Sequence, residues 1–368
     1  MLVSFLSDNL VKKISFLNHA VSTRSQLPIL SNFLLTAKDG KLTISATDLE
    51  MGIVSSIPAN VEKEGSVTVP AKNFSDLFSN IVNQKITLEV VDNTLKLKGE
   101  KIKASFQTMP FEDFPKLYDQ KGEEVLSIDK KDIEQFFART TFAAAIDSSR
   151  PALSGVLLEN QKTGMCFIAT DSYRLSLQKT SLKPLKELEK AIVVPARIIK
   201  EMSFVKEEEG KIELFVSKEN SQILIFQGET VIVGRLIDAN YPEYSKIIPQ
   251  NATTKVEVDR ENLLNAIRIC SVFARETANI VKFTIQKDKL IVSANSPSIG
   301  EDIVEVEAKL DGEENEIAFN AKYLIDILAI LSEEDLVFEM TGPLNPGVIK
   351  IKNDNSFLHL VMPIRVQQ

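Results

Sequence analysis

Asp48 with Glu50, and Asp171 further along, come nearest to an acid–base pair in this 368-residue chain. Carboxylates do such work when they converge in one pocket with separated proton affinities. Here they sit in matching contexts. Leu42-Thr-Ile-Ser-Ala46-Thr-Asp48-Leu answers to Cys166-Phe-Ile-Ala169-Thr-Asp171-Ser at a step of 123 residues, and then to Leu290-Ile-Val-Ser-Ala294-Asn-Ser at a step of 125, with Asn295 and Ser296 replacing the acid. Recurrence in separate copies favours bonding of turn backbone over catalysis. A metal-dependent enzyme using Asp48 and Asp171 stays as the alternative from another class. His19 and His359 are the only histidines and Cys166 and Cys270 the only cysteines, so a histidine base, a metal cluster or a disulfide framework has little material. The chain has no GxxxxGK[ST], no HExxH, no CxxC, and no GxGxxG after a strand. No catalytic residue, metal or cofactor is expected.

The basic residues suggest different chemistry. The chain carries a net charge of −8, which argues against coating nucleic acid by bulk attraction. Yet the six expected helices with their adjoining residues sum to +5, leaving −13 for the remainder. Lys12, Lys13, Arg24, Lys72, Arg139, Arg150, Arg197, Lys200, Arg260, Arg268, Arg275 and Lys322 supply the positive side. Helices gathered on one surface would offer phosphates a basic face, with an acidic exterior behind it. Taken alone, the same residues also fit ordinary solvated helix faces.

The elements that position these groups are written three times. Thr68-Val-Pro-Ala71-Lys72 is echoed by Val193-Val-Pro-Ala196-Arg197 and by Ala318-Phe-Asn-Ala321-Lys322, at steps of 125 residues. After each alanine a helical stripe follows: Phe74, Leu77, Phe78 and Ile81, then Leu324, Ile327, Leu328 and Leu331. The middle copy keeps Ile199 and Met202 but has Ser203 and Lys206 at the last two positions. A repeat this long is a whole domain.

The first copy is expected to hold a strand at 1–6, a helix at 8–21 and strands at 29–37, 41–46 and 50–57. The order then repeats with a strand at 65–69, a helix at 71–82 and strands at 85–91, 94–98 and 101–107. Alternation such as Leu95-Lys96-Leu97-Lys98 marks half-buried antiparallel strands, and Asp39-Gly40 and Asp92-Asn93 fit hairpin turns. Asp8, Asp129 and Asp259 are placed to cap the leading helices. The fold class is therefore α+β: three tandem copies, each of two βαβββ halves, with helices on one face of antiparallel sheets. Polar stretches at 119–124 and 249–254 divide the chain into domains 1–120, 121–250 and 251–368. No run approaches the ~18 apolar residues of a membrane span. Met1-Leu-Val-Ser-Phe-Leu also lacks a basic leader or cleavage site, so a cytoplasmic place is expected.

Leu27-Pro28-Ile29-Leu30-Ser-Asn32, Thr170-Asp171-Ser-Tyr-Arg174-Leu175, Tyr241-Pro242-Glu-Tyr and Val361-Met362-Pro363-Ile364-Arg365, in this order and spacing, resemble the bacterial DNA polymerase III β subunit, the sliding clamp family. The resemblance runs from Met1 to Arg365 and makes each copy a DNA-clamp domain. It implies a head-to-tail homodimer ring around double-stranded DNA, opened by a separate clamp loader. It implies phosphate contacts at Arg24, Arg150, Arg197 and Lys200, to which the repeat position of Arg197 adds Lys72 and Lys322. It further implies an apolar pocket that takes short linear motifs of DNA polymerases, loaders and repair proteins. The matching positions are Leu153, Gly155, Thr170, Leu175, Pro242, Ile247, Leu360, Val361, Met362, Pro363 and Arg365, with Arg174 at the edge. Pro151-Ala152 and Ser172-Tyr173 depart from the family's common residues, and Gln367-Gln368 extends the tail. Ring closure is expected between strand 101–107, with Lys101, Lys103 and Phe106, and Val272, Phe273 and Glu301 or Glu305 of the partner. A monomeric protein-binding scaffold without a DNA role is the remaining alternative.

Overall fold

The computed structural model describes residues 1–22, 25–147, 149–186, 188, 190–205, 210–219 and 221–365. The first copy contains β1 (Leu2–Leu6), α1 (Ser7–Leu17), β2 (Asn32–Lys38), β3 (Lys41–Thr47), β4 (Met51–Pro58) and a short β5 (Asn60–Lys63). It continues with β6 (Gly65–Pro70), α2 (Ala71–Ser79), β7 (Lys85–Val91), β8 (Thr94–Lys98) and β9 (Lys103–Gln107). The second copy opens with β10 (Glu123–Asp129), α3 (Lys130–Thr141), β11 (Gly155–Gln161), β12 (Gly164–Thr170) and β13 (Arg174–Lys179). Its other half is β14 (Ile192–Pro195), α4 (Ala196–Met202), β15 (Lys211–Ser217), β16 (Gln222–Gln227) and β17 (Thr230–Arg235). The third copy opens with β18 (Thr254–Asp259), α5 (Arg260–Ala274), β19 (Ile280–Gln286), β20 (Lys289–Ser296) and β21 (Gly300–Gly312). It ends with β22 (Asn315–Asn320), α6 (Ala321–Ile330), β23 (Asp335–Met340), β24 (Gly347–Ile351) and β25 (Asp354–Val361).

All six βαβββ halves are present, and each gives its first strand away. β1 pairs with β7 and β6 with β2. In the same way β10 joins β15, β14 joins β11, β18 joins β23 and β22 joins β19. A helical crossover would make neighbouring strands of one sheet parallel, so the exchange keeps every pair antiparallel. The strands form sheets ordered β5-β1-β7-β8-β9, then β10-β15-β16-β17-β4-β3-β2-β6, then β14-β11-β12-β13-β25-β24-β23-β18-β21-β20-β19-β22.

Two compact units result. One comprises Met1–Glu134, Leu185–Glu187 and Arg197–Leu236, and the other Gln135–Pro184, Leu188–Ala196 and Ile237–Gln368. The units cut across the sequence repeat, because the second copy gives β10 and β15 to β17 to the first and β11 to β14 to the second. In the first unit Phe74 packs edge-on to Phe33 and against Phe78, all fully buried. In the second Phe283, Phe319 and Phe338 form a mutual edge-to-face triad. The stripe Leu324, Ile327, Leu328 and Leu331 is buried as its spacing requires. Where the middle copy's stripe turns polar at Ser203, α4 has already ended at Met202.

Helix starts differ from the simple capping expectation. Asp259 caps α5, accepting from Asn262 N at 2.7 Å. Asp8 does not cap α1, which begins at Ser7 after Leu6 without a side-chain cap. Its carboxylate instead accepts from Asn83 N at 2.9 Å, since the end of the 80–84 loop offers a closer donor. α1 is also shorter than expected, and 28–31 forms a 3-10 turn ahead of β2. The Asp39-Gly40 hairpin has both residues at positive φ, 50° and 72°, as a tight two-residue turn demands.

Candidate functional site

The two aspartates that invited an acid–base reading build the same turn twice. Asp48 Oδ1 accepts from Glu50 N at 3.1 Å and Met51 N at 2.8 Å. Asp171 Oδ1 accepts from Tyr173 N at 2.9 Å and Arg174 N at 3.0 Å. The preceding threonines also match: Thr47 Oγ1 donates to Met51 O at 2.8 Å, and Thr170 Oγ1 to Arg174 O at 2.6 Å. Leu49 and Ser172 share a φ of 78° at the turn apex. Both carboxylates are thus taken up by backbone N–H donors and by arginines. No group of three or more metal-ligating side chains occurs among the described residues.

The basic positions fall on helix starts. α2, α4 and α6 each begin with a buried alanine, Ala71, Ala196 or Ala321, followed by an exposed Lys72, Arg197 or Lys322. The alanine fits because it lies against the sheet, and the next position turns outward. Lys200, one turn into α4, is exposed as well. Arg197 is held, donating from Nη1 to Asp48 Oδ2 at 2.6 Å and from Nη2 to His19 O at 3.1 Å. Arg150 is exposed and reaches Ser172 Oγ at 3.1 Å. Arg24 lies outside the described residues. Arg139, counted among the basic helix residues, is buried and paired with Glu333 and Gln178, so it adds nothing to a basic face.

In the second unit a groove of about 570 Å³ is lined by Ile247, Ile248, Pro249, Leu344, Pro346 and Met362, among others. Ile247, Leu344 and Met362 are 43%, 60% and 37% exposed, an unusual outlay of apolar surface. Leu175 and Leu360 are fully buried in a core cluster that Tyr241, Tyr244 and Ile248 pack against. Pro242 and Arg365 are exposed, Pro363 is half-buried, and Leu153, Gly155, Thr170 and Val361 are buried. Gly155 has no alternative, because a Cβ there would stand 2.6 Å from Val194 O. Of the positions expected from sequence, Ile247 and Met362 line this groove and face solvent. Sequence inspection missed Leu344 and Pro346. Their signal was an isolated leucine in the turn-forming run Thr341-Gly-Pro-Leu-Asn-Pro346.

The groove wall is pinned by polar bonds. Tyr244 Oη donates to Glu159 Oε1, which also accepts from Gln161 Nε2 at 2.8 Å. Burial, then the Glu159 carboxylate, push the Tyr244 phenol well above its ordinary range. This anchors the 3-10 turn Tyr244–Ile247. Met362 N donates to Tyr173 O at 2.8 Å, fixing the strand end. Arg174, placed at the pocket edge from sequence, is only 8% exposed. It donates to Asp171 Oδ2 at 3.1 Å, Asp326 Oδ2 at 2.6 Å and Phe142 O at 2.9 Å, and lies over the Tyr323 ring at 4.8 Å.

Family models for the DNA polymerase III β subunit match the chain end to end: N-terminal domain at residues 1–118, central domain at 127–243 and C-terminal domain at 245–365. The β sliding clamp of Synechococcus elongatus is 30% identical over 363 residues, covering 96% of each chain. The chain belongs to the DNA polymerase III β subunit family. The β sliding clamp of Bacillus subtilis is 28% identical, over 97% of this chain and 98% of that one. A crystal structure of the Bacillus subtilis DNA polymerase sliding clamp superposes with a TM-score of 0.94 at 26% identity, and both chains are fully covered. The Thermotoga maritima β subunit gives 0.90 at 27%, again over the whole of both chains.

Two of the strand stretches left open at sheet edges concern ring closure. Among the described residues β9 pairs only with β8, and residues 300–307 of β21 pair only with β20. Lys101 and Lys103 are exposed on the first, with Phe106 half-buried against Phe74. Glu301 and Glu305 are exposed on the second. Val272 is exposed on α5 and Phe273 is partly buried. Ile303 and Ile269 are exposed too, and the sequence pattern did not single them out.

Proposed function

We propose that this β subunit works as a sliding clamp, a non-catalytic subunit that closes head to tail with a second copy around duplex DNA. The observation that carries the proposal is the exposed basic side chain at one repeat position of three helices, Lys72, Arg197 and Lys322, in a chain of net charge −8. Phosphate contacts of this kind hold no sequence information and exchange readily as the duplex moves. Retention then comes from topology rather than affinity. Lys200, Arg150 and Arg24 complete the proposed contact set, and the three domains are taken as 1–120, 121–250 and 251–368.

Ring closure is proposed through the open stretches of β9 and β21. A lysine-bearing β9 edge set against a glutamate-bearing β21 edge pairs unlike charges and removes two aggregation hazards at once. The groove around Ile247, Leu344 and Met362 would receive short linear motifs of polymerases, the clamp loader and repair proteins, with Met362 adapting to different side chains. No described helix is long and apolar enough to cross a membrane, in keeping with a place in the cytoplasm at the nucleoid.

The direct test is to load the protein on nicked circular DNA with a cognate loader and then linearise the circle. Retention on the circle and rapid loss through free ends is expected. Equal retention on both forms rules out topological holding. Sizing should give about 82 kDa, twice the 41.0 kDa chain. A 41 kDa particle at micromolar concentration would favour a monomeric scaffold instead.

A further inference from the structure

Asp48 and Asp171 close the same turn with one oxygen but spend the other differently. Asp171 Oδ2 goes to Arg174 within its own turn, and that arginine is buried. Asp48 Oδ2 goes to Arg197, whose side chain is 48% exposed at the start of α4, at the repeat position of Lys72 and Lys322. A guanidinium carries five N–H donors in a fixed planar fork. Asp48 and the His19 carbonyl take donors from Nη1 and Nη2 at 2.6 and 3.1 Å, so the group is held in place with donors still free for a phosphate. Among the described residues, Lys72 and Lys322 at the equivalent positions pair with no carboxylate.

We infer that Asp48 is a positioning residue for DNA contact. It fixes the Arg197 guanidinium and cancels part of its charge, so that a passing phosphate shares the arginine with a resident carboxylate and leaves it without stripping its partner. This rests on the DNA-encircling proposal above. A built-in counterion has a measurable consequence. A cation already neutralised by Asp48 releases less salt when it meets a phosphate, and its contribution to the salt dependence of binding is muted.

Asp48→Asn isolates the effect, because the amide oxygen can still accept the Glu50 and Met51 N–H bonds while the charge is gone. Affinity for a fluorescent duplex would be measured against KCl for the parent protein, D48N, R197A and the D48N/R197A pair. D48N should bind severalfold tighter at low salt. Its plot of log affinity against log salt should steepen by up to about 0.9, the value for one further phosphate contact. In the R197A background D48N should have no effect. An unchanged slope in D48N, or an equal gain with and without Arg197, overturns the inference. If R197A, K72A and K200A all leave binding untouched, the DNA proposal itself fails, which is a separate outcome. Asp48→Ser, also able to accept the turn bonds, replaces D48N if melting shows that variant to be unfolded.

Discussion

The chain contains the same strand seam twice, and the two copies have been put to different use. In the first unit β4 meets β17, with Gly52 opposite Val233 and Met51 opposite Gly234. In the second, β13 meets β25, with Leu175 opposite Leu360 and Arg174 opposite Val361. One step beyond each seam stands Arg235 in the first case and Met362 in the second. A Cβ on Gly52 would come within 3.0 Å of Leu117 Cδ2, so the following linker lies directly on the first seam. What remains there is a polar cleft of about 240 Å³ lined by Thr47, Glu50, Lys116, Asp119, Gln222 and Arg235 among others. At the second seam the linker's Tyr244 is drawn down to Glu159, and Ile247, Leu344 and Met362 stay open. An apolar groove is therefore not a property of the fold. It follows from a few side chains at matched register positions.

The largest expected contrast concerns the arginine at the second seam. Arg174→Ala leaves Asp171 and Asp326 facing each other without their cation and should cost about 3–5 kcal/mol in urea unfolding of the second unit. Arg235→Ala, on the surface of the first seam, should cost less than about 0.5 kcal/mol. Comparable losses for the two would erase the distinction. Next comes ligand binding: a Met362→Ala, Ile247→Ala double variant should weaken a polymerase-derived peptide by ~2 kcal/mol or more in calorimetry, with the dimer intact. Arg235→Ala, the first-seam counterpart of Met362, should leave the peptide affinity where it was, and an unchanged affinity in the double variant removes the groove assignment.

Smaller effects sharpen the picture. Leu117→Ala should destabilise the first unit by about 1–2 kcal/mol, as expected for trimming a partly buried leucine, without altering peptide binding. The smallest signal is in pH. His359, beside the second seam, is driven down to a pKa of about 3 by burial, with the Arg174 charge adding to it. The unfolded chain, with a histidine pKa of about 6.5, takes up that proton first, so the stability is whole above this pH and drains as pH falls toward 3. At pH 5.5 the loss should be about 1 kcal/mol, and His359→Phe should flatten that part of the unfolding curve.

How much of this was legible beforehand varies from residue to residue. The threefold repeat, the helix stripes and the Asp-Gly turn were plain, because helical and strand periodicities and the positive φ of a tight turn are set by neighbours in the chain. Asp8 misled as a cap because Asn83, far along the chain, supplied a better donor. Arg139 looked like a helix-face charge and Arg174 like a pocket-edge residue because nothing local announces the carboxylates that bury with them. Leu344 escaped notice since its importance depends on Ile247 and Met362 standing nearby.

Three tandem domains, six helices of which three bear a basic residue at one repeated position, and the aspartate turns were all dictated by the order of residues alone, since each arises from contacts a few positions apart. Which strand each half surrenders, which linker plugs a seam and which leaves it open, and which arginine a carboxylate claims were decided only by tertiary structure. Those outcomes turn on side chains brought together from tens to more than a hundred residues away, where a single glycine or a register step settles what fits.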